Sequence, residues 1–151
     1  MTTGPRHQAR EAALQVLYFW EVGGAPVDDA LSAFFAEHAP DASAAVRTFA
    51  GELVQGTVSE LAALDALIEQ HSQHWRMSRL AIVDRLILRM SAWELQHAPE
   101  TPAAVVLDEA IELARTFSTE DSAKFVNGVL DGMRKTLASR AAAPSIHVER
   151  S

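Results

Sequence analysis

Apolar residues recur at spacings of three and four positions along nearly the whole chain of 151 residues. This spacing places them on one face of an α-helix, whereas a half-buried strand needs strict alternation, which the sequence lacks. The pattern predicts an all-α fold. With 48% hydrophobic positions, the chain can bury one core. We expect one helical domain over residues 1–139 and a disordered tail over 140–151, where the periodicity stops.

Proline, glycine and capping residues divide this pattern into helices. The runs Thr57-Val-Ser-Glu60 and Ser118-Thr-Glu-Asp121 have the form of capping boxes, and Ser78 is predicted to cap a long helix. The predicted helices cover residues 5–22, 28–37, 41 or 43 onward, 57–68, 78–97, 101–117 and 118–139. Three of them precede residue 56 and the others follow it, so we expect two packed sub-bundles that share one core.

The charge of the chain restricts its partners. The 20 Asp and Glu residues against 13 Lys and Arg residues give a net charge of −7, the wrong sign for a general nucleic-acid binder. Any RNA contact must therefore be local, and a basic protein partner is favoured.

Cysteine is absent, which excludes disulfides and thiolate sites. No stretch approaches the roughly 20 apolar residues of a membrane span, so we expect a cytoplasmic protein without membrane contact.

The first predicted helix has apolar residues on two sides. A helical wheel gathers one stripe that is sufficient for burial: Ala9, Ala12, Ala13, Val16 and Trp20. Leu14 and Tyr18 lie one turn apart on another side, where they would form a partner surface. A neighbouring helix could equally cover Leu14. The amphipathic ring of Tyr18 favours a half-exposed contact and can also stack on a base.

Arg6 and Arg10 lie one turn apart at the start of the same helix. The helix dipole disfavours cations at this end, so contact with phosphate explains these arginines better than helix stability does. The alternative is a solvated face on which they pair with glutamates.

The last predicted helix also has two faces. Its buried side consists of Val126, Val129, Leu130, Met133 and Leu137, and the other side carries Asp121, Lys124, Phe125, Gly128 and Gly132. Two glycines inside a helix each cost roughly 1 kcal/mol relative to alanine, which indicates close approach by another backbone. Lys124 could reach phosphate and Phe125 could stack on an unpaired base. The alternative is tight packing inside the fold, with Phe125 in the core.

Other candidate chemistry is sparse. His71 and His74 have the spacing of half a metal site, but the sequence suggests no third ligand, and we predict no metal. Glycine-rich phosphate loops and nucleophile elbows are missing from the sequence, so we predict no catalytic site and no cofactor.

Four arginines lie close together in one stretch of the sequence: Arg76, Arg79, Arg85 and Arg89. They form either an auxiliary basic stripe or ion pairs with Asp84 and Glu94.

Three segments of the sequence together resemble the NusB family. The longest contains EAIELA from Glu109, then Phe117, then EDS from Glu120 and KFVNGVLD from Lys124. The second contains DRLILR from Asp84 and the tripeptide Trp93-Glu-Leu, and the third contains AREAALQVLY from Ala9, followed by Trp20. Residues 21–75 and the tail match the family poorly.

The resemblance implies a fold of two three-helix sub-bundles and a role in transcription antitermination. In that role, NusB and the ribosomal protein NusE jointly bind the boxA element of nascent RNA, and the complex joins the elongating RNA polymerase. By position, Arg6 and Arg10 match the family's arginine-rich N-terminus. Residues near the family's RNA path are matched by Arg89, Asp121, Lys124 and Phe125, so the resemblance implies RNA binding by all six. Glu11, Tyr18 and Asp84 match the side that faces NusE.

One departure from the family concerns affinity, because the N-terminus supplies only two arginines where the family often has a denser run. With few phosphate contacts, RNA binding alone is expected to be weak and only mildly salt-dependent, and NusE would supply positive charge. The main alternative is a homodimer that covers the surface of Leu14 and Tyr18 and binds little RNA. NusB-like domains also occur fused to methyltransferases, but this sequence lacks a GxGxxG motif.

Overall fold

The computed structural model describes residues 4–72 and 76–142, and all regular structure in these ranges is helical. The seven α-helices there are α1 (Pro5–Gly23), α2 (Val27–His38), α3 (Ala44–Ser59), α4 (Leu61–His71), α5 (Ile82–His97), α6 (Ala103–Phe117) and α7 (Glu120–Ala142). A short 3₁₀ turn, Met77–Arg79, precedes α5. The predicted all-α fold is confirmed. Within the described ranges, no helix has the length and apolar character needed to cross a membrane.

The helices pack in two groups around one continuous core. Helices α1, α2 and α3 contact one another, and α5, α6 and α7 form a second set of contacts to which α4 adds by packing on α5 and α7. Helices α1 and α3 also pack on α5, which joins the groups. The buried apolar side chains of both groups belong to one cluster. Helix α5 is therefore the central element, and the surfaces described below lie on its flanks.

Several helix ends follow from their sequence. Helix α1 is terminated by Gly24, the residue after its last turn. Gly24 has a left-handed φ of 76°, and its N–H donates to the carbonyl of Trp20. Helix α3 begins after Ser43, whose hydroxyl accepts a hydrogen bond of 3.2 Å from the N–H of Val46.

Two predicted caps are wrong. Thr57 is fully buried within α3, which continues to Ser59, and α4 follows Glu60 without a side-chain cap. The Thr57 side chain packs into the core instead of capping the next helix. Ser78 lies in the 3₁₀ turn, and α5 begins four residues later, at Ile82. In both places the packing of the chain overrides a local pattern.

The start of α7 differs by one residue from the predicted cap. Thr119 Oγ1, rather than Ser118, accepts a hydrogen bond of 3.0 Å from the N–H of Ser122. The helix continues to Ala142, so the first residues of the predicted tail are helical. Residues 143–151, like residues 1–3, lie outside the described part of the chain.

Candidate nucleic-acid and partner interfaces

A groove of about 350 Å³ lies where α5 and α7 begin. We call it the α5–α7 groove; it is lined by Arg79, Leu80, Ala81, Asp84, Asp121, Ser122 and Phe125. The Ser122 hydroxyl donates a hydrogen bond of 2.8 Å to Asp84 Oδ2, which ties the first turn of α7 to that of α5. The groove therefore brings together three residues that the sequence assigned to two different surfaces: Asp84, Asp121 and Phe125.

We call the segment of α7 from Asp121 to Phe125 the rim of this groove; in it, the exposed cation Lys124 directly precedes the half-buried Phe125, whose side chain lines the groove. Phe125 packs against the core on one side, and Lys124 and Asp121 are exposed. Lys124 makes no ion pair with any described residue. A ring face next to a free ammonium group suits an unpaired base and its phosphate.

Two other cations of α7 are already paired. Arg134 and Lys135 contact Asp131 at 2.6 and 3.2 Å. Their hydrogen bonds, that from Arg134 foremost, lower the pKa of the Asp131 carboxyl group. Lys124 is therefore better placed than either of them to bind an external anion.

The side of α7 that carries Gly128 and Gly132, which we call the glycine strip, is open at one glycine and covered at the other. A Cβ added at Gly128 would meet no atom within 4 Å, whereas one at Gly132 would lie 3.3 Å from the ring of His71. The same ring contacts Thr136 Oγ1 through its Nε2 at 2.8 Å. Helix α4 thus covers the lower part of the strip. His74 lies outside the described residues, and the described ones contain no group of three or more His, Cys, Asp or Glu able to hold a metal ion.

Arg10 is not the surface cation that the sequence predicted. Its side chain is 3% exposed, and its guanidinium group donates to both carboxylate oxygens of Glu94, with an Nε to Oε1 distance of 3.0 Å. A carboxylate oxygen of Glu109 lies 3.6 Å from Arg10 Nη1. The ion pair joins α1 to α5 and α6, so the predicted phosphate contact by Arg10 is incompatible with its position.

Arg89 is also buried and ion-paired within the fold. It is 8% exposed, and its Nε and Nη2 donate to the two carboxylate oxygens of Asp65 at 2.7 and 2.9 Å. Glu21 lies 3.4 Å from its Nη1. Arg89 therefore links α5 to α4 and to the end of α1, and its predicted contact with RNA is likewise incompatible with this position.

Arg6 remains exposed, but it does not line the α5–α7 groove. Its guanidinium carbon lies 3.9 Å above the centre of the Phe49 ring, on α3. Along α1, it precedes Tyr18 by 12 residues, or roughly 18 Å of helix. The predicted RNA-binding residues thus occupy separate places: Arg6 near the start of α1, and Asp121, Lys124 and Phe125 near the start of α7.

A second groove, of about 400 Å³, is mainly apolar. We call it the aromatic groove; it is lined by Leu14, Gln15, Tyr18, Phe19, Val83 and Phe117. Tyr18 and Phe19 are 40% and 44% exposed, so both rings remain available to a partner. Leu14 is buried, which means that a neighbouring helix covers it, as one of the two alternatives predicted.

Phe19 was not predicted as a surface residue, although it follows Tyr18 directly. Its ring stacks on the ring of His38 from α2, with centroids 6.0 Å apart. The other predicted partner residues lie apart from this groove. Glu11 is half-buried beside His7, whose Nε2 is 3.2 Å from it, and Asp84 is 8% exposed in the α5–α7 groove.

The two grooves adjoin at the first turn of α5. Val83 lines the aromatic groove, and its neighbour Asp84 lines the α5–α7 groove. The corner between α6 and α7 contributes in the same way, through Phe117 to one groove and Ser122 to the other. A ligand in one groove would therefore lie next to a ligand in the other.

Comparison with known proteins places this geometry in a family. The NusB family model matches residues 7–135. A transcription antitermination protein NusB of Solibacter usitatus is 44% identical over 140 residues, which cover 93% of this chain and 95% of the relative. The NusB protein of Sorangium cellulosum is 46% identical over 134 residues, which cover 89% of this chain and 94% of the relative.

The fold has a solved counterpart as well. A chain in the crystal structure of antitermination factors NusB and NusE in complex with dsRNA matches with a TM-score of 0.80 and 28% identity. The match covers 87% of this chain and 97% of that chain. The protein described here belongs to the NusB family.

Proposed function

We propose that this protein is a transcription antitermination factor that binds boxA-type single-stranded RNA together with the ribosomal protein NusE. In this proposal, the complex joins the elongating RNA polymerase and supports transcription of ribosomal RNA in the cytoplasm. The protein acts as an adaptor and not as an enzyme. The names of its relatives and the NusB and NusE complex of its structural counterpart support this role.

The observation that carries the RNA part of the proposal is the rim of the α5–α7 groove. Lys124 is exposed and unpaired within the described chain, and the half-buried Phe125, which lines the groove, follows it directly on α7. Single-stranded RNA is bound by proteins through this combination of cations along the backbone and aromatic rings under the bases. Asp121 adds an acceptor for base amino groups.

The aromatic groove supports the partner part of the proposal. Tyr18 and Phe19 expose a large apolar area with one hydroxyl group, which is typical of the centre of a protein interface. The net charge of −7 favours a basic partner. Because the two grooves adjoin, a basic protein bound at Tyr18 would add positive charge beside Lys124.

The position of Arg10 strengthens the expectation that RNA binding alone is weak. Only Arg6 remains exposed of the two N-terminal arginines, so the N-terminus itself offers one arginine for phosphate contact. Each contact with single-stranded RNA adds about 0.7 to the slope of log affinity against log salt. We expect a shallow slope for the protein alone and a steeper one for its complex with NusE.

The test is binding of a boxA RNA to the full chain, with and without NusE, at two salt concentrations. Fluorescence anisotropy of labelled RNA measures the affinity. The proposal expects binding that NusE strengthens by at least tenfold, and a scrambled RNA of the same length serves as the control. Absence of binding in the presence of NusE would contradict the proposal.

A second candidate is a homodimer, favoured by the exposure of Tyr18, Phe19 and Val22 on one helix. In a dimer, the aromatic groove of one copy would be covered by the other. Light scattering over a range of protein concentrations measures the mass in solution. If Tyr18→Ala converts a dimer to a monomer without changing NusE binding, the aromatic groove serves self-association and the partner part of the proposal is wrong.

A further inference from the structure

The guanidinium groups of Arg6 and Arg10 lie one turn apart on α1 and both face the ring of Phe49, at 3.9 and 5.4 Å, but they differ in burial and in ion pairing. Arg10 is buried and neutralised by Glu94. Arg6 is exposed, and none of the carboxylates in the described ranges pairs with it. A cation at the start of a helix opposes the helix dipole, so neither an ion pair nor the dipole explains this position.

The exposed Arg6 is held by a ring that is itself fixed. Its guanidinium carbon is 3.9 Å from the centre of the Phe49 ring, within the range of a cation–π contact. Phe49 is only 7% exposed and belongs to the core cluster. The ring of Phe49 under Arg6 is therefore held in place by the core around it.

The contact with Phe49 is made through the guanidinium carbon, and no described residue accepts a hydrogen bond from the N–H groups of Arg6. The N–H donors of arginine point outward in the plane of the guanidinium group, where they can bind a phosphate in bidentate fashion. Stacking on Phe49 and binding of an anion are therefore compatible. In contrast, Arg10 uses its edge for both oxygens of Glu94.

We infer that Phe49 is a positioning residue for RNA binding, because its ring holds Arg6 in place as a phosphate contact. The inference rests on the proposed function and adds a residue to it. A side chain that is ordered before the RNA arrives loses less rotamer entropy on binding. This matters because Arg6 is the N-terminal arginine that remains exposed, whereas Arg10 is buried.

The competing explanation is that the contact between Arg6 and Phe49 only stabilises the packing of α1 on α3. The chain offers a matched control for that explanation. Arg47 lies over the ring of Phe35 at 5.0 Å, and Phe35 is 5% exposed, so the two sites are alike in burial. The guanidinium group of Arg47 is already bound to the carbonyls of Pro40 and Ala42, at 2.8 and 3.0 Å.

The experiment is a double-mutant cycle on the full chain with NusE, in which binding of boxA RNA is measured by fluorescence anisotropy. Phe49→Leu is expected to weaken binding about two- to fivefold, the range of an exposed cation–π contact. In an Arg6→Ala background, Phe49→Leu should cause no further loss. Phe35→Leu should leave the affinity unchanged. Circular dichroism establishes that each variant is folded.

Arg6→Lys provides a test that leaves the core intact. Lysine keeps the charge but lacks the planar group, so it is expected to weaken binding about twofold or more. Unchanged affinity in Arg6→Lys would overturn the inference. The inference would also be overturned if Phe49→Leu lowered the affinity for RNA equally with and without Arg6. The same holds if Phe35→Leu lowered the affinity as much as Phe49→Leu does, because the effect would then be general destabilisation.

The failure of this inference is distinguishable from failure of the proposed function. If the unmodified chain binds boxA RNA with NusE but Arg6→Ala has no effect, only the inference is wrong. If the unmodified chain binds no RNA with NusE present, both are wrong.

Discussion

Charged residues lie both at the junction of α1 with α5 and α6 and at the rim of the α5–α7 groove. Those at the junction are buried and ion-paired, whereas those at the rim are exposed and unpaired among the described residues. At the junction, the guanidinium group of Arg10 is enclosed and paired with the carboxylates of Glu94 and Glu109. At the rim, Lys124 and Asp121 are exposed and form no ion pair with the described residues. A charged residue is available to a ligand only where the fold supplies no partner for it.

Arg10→Ala is expected to have the largest effect on stability. It would leave Glu94, which is 2% exposed, as an uncompensated charge in the interior. Removing one member of a buried ion pair costs about 3–5 kcal/mol of unfolding free energy. Urea denaturation followed by circular dichroism measures this quantity.

The control for Arg10→Ala is Arg115→Ala, because Arg115 pairs with Glu120 in an exposed position, at 3.1 Å. An exposed ion pair contributes little to stability, so this variant should remain nearly as stable as the unmodified protein. If Arg10→Ala were equally harmless and instead weakened RNA binding, the contrast between junction and rim would be wrong.

Lys124→Ala is expected to change RNA binding and leave stability unchanged. Loss of one phosphate contact should lower the slope of log affinity against log salt by about 0.7. The measurement is a salt titration of boxA RNA binding in the presence of NusE. Lys135→Ala, on the same helix but paired with Asp131, is the matched variant and should keep the original slope. Equal slopes for both variants would remove Lys124 from the RNA path.

Gly128→Ala is expected to have a small and favourable effect on stability and no effect on RNA binding. The added methyl group meets no atom within 4 Å, so the helix gains up to about 1 kcal/mol. Thermal unfolding measures the gain. The same substitution at Gly56 should destabilise the protein, since the new Cβ would lie 2.2 Å from the Trp93 ring. Weaker RNA binding by Gly128→Ala would extend the RNA path along α7, whereas a loss of stability would mean that this part of the strip is covered.

The helices could be predicted well because their signals are local. Spacing of apolar residues, Pro5 at the start of α1 and Gly24 after its end all act within a few residues. The same reasoning failed where packing decides. Thr57 and Ser78 each have the neighbours of a capping residue, but one is buried within α3 and the other lies in a 3₁₀ turn.

The candidate sites could be predicted only in part, because their character depends on distant partners. Arg10 and Glu94 are 84 positions apart, and Arg89 and Asp65 are 24 apart, so no helical wheel brings either pair together. Lys124 and Tyr18 were found because their exposure follows from the helix face alone. Phe19 was missed because its exposure depends on where α2 places His38.

The ion pair of Arg10 and Glu94 also constrains the order in which the chain can reach its native state. Arg10 belongs to the first helix, and its carboxylate partner is made 84 residues later. In a nascent chain that ends after α3, the guanidinium group of Arg10 would lack the carboxylate of Glu94, with which it pairs in the native interior. The native contacts of α1 with α5 are therefore completed only after the ribosome has made α5.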